Sequence, residues 1–180
     1  MELVDAADLK SASSECRFES GRGHQTMDGR MISINDLDKW DKRFMELAVH
    51  VSGWSKDPST KVGSIVVSTD RRVLSLGYNG FPRGVKDLDE RLNDRQTKYL
   101  LVAHAERNAL DNADTSLRGC TLYVTLQPCA ECTKSIIQKG IRRVVAIVDI
   151  SRQDHYRNFI DNSLLMLDEA GIEVVQVVNK

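Results

Sequence analysis

The chain has 180 residues, enough for one domain of ordinary size with a tail, and a chain that long builds a core without covalent staples. Apolar residues make up 41% and charged residues 28%, while 25 basic against 26 acidic residues leave a formal charge of −1. That balance excludes a whole-surface cationic field for nucleic acid or anionic membrane. No apolar run approaches the roughly 20 residues of a membrane span. Glu2, Asp5 and Asp8 stand where a signal peptide would be basic. The expected compartment is the cytoplasm, a host's if the source is viral.

Residues 1–30 mix Ser, Gly, Arg and acids without a helical or strand period, and are expected to form a flexible extension ahead of a domain over 31–180. Cys16 and His24 within it read as an exposed thiol and an exposed imidazole. From Leu37, apolar residues recur through Trp40, Phe44, Leu47, Ala48 and Val51 at helical steps, with Asn35 or Asp36 as the cap. Lys61–Ser68 and Arg72–Tyr78 predict an antiparallel hairpin around Thr69, Asp70 and Arg71. Gly80 to Gln96 reads as loop with some helix.

A helix over His104–Asn112, a strand over Cys120–Thr125 and a helix over Cys129–Lys139 closed by Gly140 follow. Val144–Val148 lacks alternation and predicts a strand buried on both faces. A helix ending at Gly171 and a strand over Val174–Val178 complete the order α-β-β-α-β-α-β-α-β. A hairpin followed by β-α repeats predicts an α/β fold of three layers, a mixed five-stranded sheet with helices on both faces.

Four cysteines are unevenly spread, at 16, 120, 129 and 132. In a chain without an export signal, Cys-x-x-Cys points to metal or redox chemistry before disulfides. Two segments carry chemistry: His104-Ala105-Glu106 and Pro128-Cys129-Ala130-Glu131-Cys132. One imidazole and two thiolates suit Zn²⁺ and leave a fourth position for water. Cys129 and Cys132, three apart on the first turn of a helix, project to one side, and Pro128 suits the start of that helix. Glu106 is placed to take a proton from a metal-activated water and pass it on without becoming a ligand.

Two other readings weigh against this one. A folding zinc site needs a fourth protein ligand, for which Cys120, His50 and His155 are the candidates. Cys120, however, lies across a whole strand, some 15–20 Å away at roughly 3.3 Å per residue, and neither histidine has motif spacing. A redox Cys-x-x-Cys leaves His104 and Glu106 unexplained.

The pairing of His-x-Glu with Pro-Cys-x-x-Cys resembles the signature of zinc nucleobase deaminases. Beyond it, Ser55–Val67, Gly77–Gly84, Thr97–Leu110, Gly119–Ile141 and Ala170–Val174 look like the deoxycytidylate branch of the cytidine and deoxycytidylate deaminases, over roughly residues 38–178. That resemblance implies the cytidine deaminase-like fold, one Zn²⁺ per chain on His104, Cys129 and Cys132, and Glu106 as the catalytic residue. The implied reaction is hydrolysis of dCMP to dUMP and ammonia, feeding thymidylate synthesis. It further implies substrate contacts from Asn79, the Ala105 backbone N–H and Tyr156, and a phosphate or effector contact among Lys56, Lys61, Arg83 and Arg107. Homo-oligomers, hexamers among them, and activation by dCTP with Mg²⁺ are implied as well. Other cytosine nucleosides or nucleotides as substrate, and a catalytically silent nucleotide sensor, stand as alternatives. Near-zero net charge argues against polynucleotide partners.

Overall fold

The computed structural model describes residues 30–149 and 153–178. In chain order it contains β1 (Arg30–Ser33), α1 (Lys39–Ser52), β2 (Gly63–Val67), β3 (Val73–Tyr78), α2 (Asp89–Asn93), α3 (Arg95–Leu101) and α4 (Ala105–Asp111). Then come β4 (Thr121–Val124), α5 (Ala130–Gln138), β5 (Arg143–Val148), α6 (Gln153–Glu169) and β6 (Glu173–Val178). Cys16 and His24 lie outside the described residues, as do the side chains of His155 and Tyr156. Among the described residues no helix is long and apolar enough to cross a membrane.

The strands form one mixed sheet in the order β1-β6-β5-β4-β2-β3, with β2 antiparallel to both β3 and β4 and the other pairs parallel. Side chains alternate across it, as a two-residue period requires. Leu122, Val124, Val144 and Ala146 face α4, α5 and α6, in a core that includes Ala109, Ile136 and Leu167. Tyr123 and Val145 face the other way, onto Phe44, Met45, Ala48 and Val51 of α1. Helices therefore cover both faces, as expected.

The sheet has six strands, not the five expected. The additional one, β1, is only four residues long and is held by parallel pairing with Val175–Val178 of β6, a non-local contact that leaves no local period to read. Arg30, assigned to the extension, opens it. The expected cap of α1 also moves: Asp38, not Asn35 or Asp36, accepts the N–H groups of Trp40 and Asp41, at 2.7 and 3.0 Å. The stretch read as loop with some helix holds α2 and leads into α3, which Asp94 caps through the Thr97 N–H at 3.0 Å.

Two glycines let helices approach the sheet. A Cβ on Gly63 would stand 2.1 Å from the Ala48 carbonyl oxygen of α1, and one on Gly77 would stand 2.3 Å from the Ala109 nitrogen of α4. At the outer edge, α4 also ties down β3: Asn108 donates to the Tyr78 carbonyl at 2.7 Å and Asn112 to the Leu76 carbonyl at 3.2 Å.

Arg143 of β5 is a structural anchor. Arg143 donates to both carboxylate oxygens of Asp41 at 2.7 Å, Tyr123 donates its hydroxyl to the same carboxylate at 2.6 Å, and Arg143 Nε reaches Glu173 at 3.0 Å. Burial alone would push Asp41 up, yet the hydrogen bonds from Arg143 and Tyr123 hold it below the usual carboxylate range. A depressed folded pKa means that this stabilisation is full above the unfolded value of about 3.9 and fades as pH falls through the folded one. Arg143→Met strands a buried carboxylate and should cost about 3–5 kcal/mol by urea denaturation at pH 7. Asp41→Leu in the same chain should recover much of that loss and flatten the acid limb below about pH 4.

Candidate functional site

The carboxyl ends of β3, β4 and β5 lie at one edge of the sheet, where open α/β sheets place their ligands. A cavity of about 240 Å³ opens there, walled by Asn79 after β3, by Gln127 and Pro128 after β4, and by Val148 and Asp149 at the end of β5. His104, Ala105, Glu106 and Cys129 line it as well.

His104 is the residue that caps α4, and Cys129 is the residue that caps α5, with Cys132 one turn further on. Two helix starts thereby converge on one point. His104 Nδ1 lies 3.5 Å from Cys129 Sγ and 3.4 Å from Cys132 Sγ, and the three donor atoms fall within 4.8 Å of one another. A tetrahedral ion with Zn–S of about 2.3 Å and Zn–N of about 2.05 Å holds nitrogen and sulfur donors roughly 3.6 Å apart. The cluster fits zinc, and it does so through Nδ1, a choice of ring nitrogen that no sequence motif reveals. Cys120, the expected rival ligand, is buried in the core with Leu122 and Ile141 and stands outside the cluster.

The electrostatics are those of a cation site. The hydrogen bond from Cys132, aided by His104, draws the Cys129 thiol down to about 3, so it is a thiolate at neutral pH. Cys132 moves up because it holds the proton of that bond. The bond to Cys129 raises His104. Glu106, buried at 4% exposure and lining the cavity beside His104, is pushed up chiefly by burial. A buried carboxyl with a raised pKa, beside residues that could hold a metal, is suited to pass protons to and from a ligand in the cavity.

The remaining expected site residues fall in different places. Ala105 lines the cavity, and as the first residue of α4 its N–H has no intrahelical acceptor. Asn79 lines the cavity too, but its amide is engaged: Oδ1 accepts the Val62 N–H at 2.8 Å and Nδ2 donates to the Thr60 carbonyl at 2.9 Å. None of the four expected phosphate contacts lines this cavity. Lys56 pairs with Asp87 at 2.8 Å and walls a smaller cavity of about 90 Å³, and Arg83 donates to Asn112 at 2.8 Å. Lys61 and Arg107 are exposed.

Sequence reasoning missed Asp57, Tyr99 and Gln127 on the cavity wall, and Lys98 behind it. Asp57 had a local signal, since Asp-Pro-Ser-Thr is a turn-forming run and its carboxylate does accept from Ser59 and Thr60. Tyr99 and Lys98 had none, because α3 was itself unrecognised.

The family model for the cytidine and deoxycytidylate deaminase zinc-binding region matches residues 38–148. Human deoxycytidylate deaminase is 41% identical over 152 residues, covering 81% of this chain and 84% of that protein. An uncharacterised deaminase from the luxG 3′ region of Aliivibrio fischeri is 41% identical over 139 residues, covering 77% of this chain and 93% of its own. The structure of dCMP deaminase from the cyanophage S-TIM5 in complex with dCMP and dUMP superposes with a TM-score of 0.62 at 27% identity, covering 78% of this chain and 98% of that one. The match spans α1 to β5 and so takes in both helix starts at the cluster, and on that ground the chain belongs to the cytidine and deoxycytidylate deaminase family.

Proposed function

We propose that this chain hydrolyses dCMP to dUMP and ammonia. The observation that carries this reading is the buried Glu106 carboxyl lining the same cavity as the His104–Cys129–Cys132 cluster. The deoxycytidylate deaminases among its relatives, and the cyanophage enzyme solved with dCMP and dUMP, favour a cytosine nucleotide as substrate.

His104 Nδ1 and the two thiolates would hold Zn²⁺, which acts as a Lewis acid and lowers the pKa of a water. Glu106 takes a proton from the attacking water as the C4–O bond forms, and places it on ring nitrogen N3. It then delivers the second water proton to the amino nitrogen, the C4–N bond breaks, and ammonia leaves. Burial of Glu106 keeps bulk water from competing for these protons. The Ala105 N–H is the donor for the ring carbonyl, and Asn79 braces the wall at Thr60 and Val62 against the sugar. Activation by dCTP with Mg²⁺, assembly into homo-oligomers, a cytoplasmic setting and a supply of dUMP to thymidylate synthesis complete the reading.

Glu106→Gln should lower kcat by roughly 10²–10⁴-fold, because an amide cannot shuttle protons. Zinc content by atomic emission and the melting temperature should stay near wild type. Residual activity within tenfold of wild type would move the proton transfers to another group. Cys129→Ala should instead lose zinc and stability together, measured as metal per chain and as Tm. Parallel assays of dCMP, CMP, deoxycytidine and cytidine, with and without dCTP plus Mg²⁺, test the substrate and the effector. The expected outcome is turnover of dCMP above the others and a higher rate with dCTP. Equal turnover of the nucleosides would overturn the nucleotide assignment and keep the chemistry.

A further inference from the structure

Asp57 is a buried charge in the cavity wall that the mechanism does not use. Its two oxygens are in unequal situations. Oδ1 accepts from the Ser59 N–H at 2.8 Å, the Ser59 hydroxyl at 2.8 Å, the Thr60 N–H at 3.1 Å and Lys98 Nζ at 3.0 Å. Oδ2 is approached by Asn79 Nδ2 at 3.5 Å, a distance too long for a strong hydrogen bond.

A turn cap explains Oδ1 but does not explain a charge. An asparagine or serine would accept the same N–H groups without the cost of bringing an ion pair out of water. Here the pair is deeply buried, with both side chains 8% exposed. Although burial raises Asp57, its partners Ser59, Lys98 and Thr60 hold it below the usual carboxylate range, so it is ionised at neutral pH. Lys98 already compensates the charge, so the wall has no excess attraction for a cation. What is left is a strong acceptor for a neutral donor.

dCMP offers few neutral donors. Its amino group is the group that reacts, and must lie at the cluster beside Glu106. Its phosphate is an anion without a proton to give near neutral pH, and is repelled by a carboxylate. The remaining donor is the 3′-hydroxyl of the deoxyribose. Resting on the dCMP reading above, we propose that Asp57 Oδ2 accepts a hydrogen bond from the substrate's 3′-hydroxyl, making Asp57 a sugar-binding residue. Asn79 and Thr60 beside it line the same part of the cavity, and Lys98 from α3 holds the carboxylate in place.

The test pairs a substrate change with a protein change. Wild-type enzyme should turn over 2′,3′-dideoxycytidine 5′-monophosphate with kcat/KM roughly tenfold to a hundredfold below that for dCMP, the value of one hydrogen bond to a charged group. In Asp57→Asn that ratio should collapse to within about threefold, with the loss appearing mainly in KM for dCMP. If Asp57→Asn does not fold, Asp57→Ser keeps a hydroxyl to cap Ser59 and Thr60 and is read in the same way. A merely structural role would lower activity toward both compounds equally and leave the ratio untouched. An undiminished ratio in an active variant, or no discrimination by the wild type, overturns the proposal. If the wild type ignores dCMP but acts on deoxycytidine, the substrate reading fails while the sugar contact is still tested, with deoxycytidine and dideoxycytidine as the pair.

Discussion

Helix α4 lies so close to β3 that a methyl group does not fit between them: a Cβ on Gly77 would sit 2.3 Å from one backbone atom of α4 and 2.5 Å from another. This contact is main chain against main chain, so no side chain can be repacked to relieve a substitution. It sets where α4 begins, and hence where His104 and Glu106 stand relative to the Cys129–Cys132 turn of α5. Distances of 3.4 and 3.5 Å between donors leave little tolerance, since a shift of an ångström at one helix start would open the cluster. Gly63 performs the equivalent service for α1 on the opposite face. The sheet is thus clamped from both sides at adjacent strands, with the cavity at the end of the clamped region.

The two deeply placed acid–base pairs of the fold use their charges differently. On the α1 face, Asp41 has both oxygens taken by strong donors at 2.6 to 2.7 Å, and nothing is left over for a ligand. Beside the cavity, Asp57 has one oxygen crowded and the other lightly used. The first arrangement ties α1 to the central strands β4 and β5. The second holds an acceptor ready in the cavity wall. A carboxylate fixed before the ligand arrives spends no ordering entropy at the moment of binding.

The metal cluster was legible because its chemistry demands residue types at short spacing: two sulfurs one helical turn apart after a proline, and a carboxylate two places from a histidine. The core helices and strands were legible for the same reason, since burial writes a period into neighbouring positions. What escaped depends on partners far away in sequence. β1 is a strand only because β6 is beside it. Lys98 pairs with Asp57 across 41 positions, and Arg143 with Asp41 across 102. The expected cations Lys56 and Arg83 carried the right charge but sit away from the cavity wall, since type alone does not say which way a loop folds. Asn79 was found as a residue of the pocket, yet its amide mostly serves the backbone.

The asparagines of α4 have a consequence for how molecules of this protein meet. An edge strand ordinarily offers a row of bare carbonyls on which another strand can template, the first step toward fibres. On β3 the carbonyls of Leu76 and Tyr78 are already occupied by Asn112 and Asn108 from the protein's own helix. An incoming chain would have to compete with them for these two acceptors. The helix that follows the histidine and carries the glutamate of the site therefore also shields part of the β3 edge from backbone pairing.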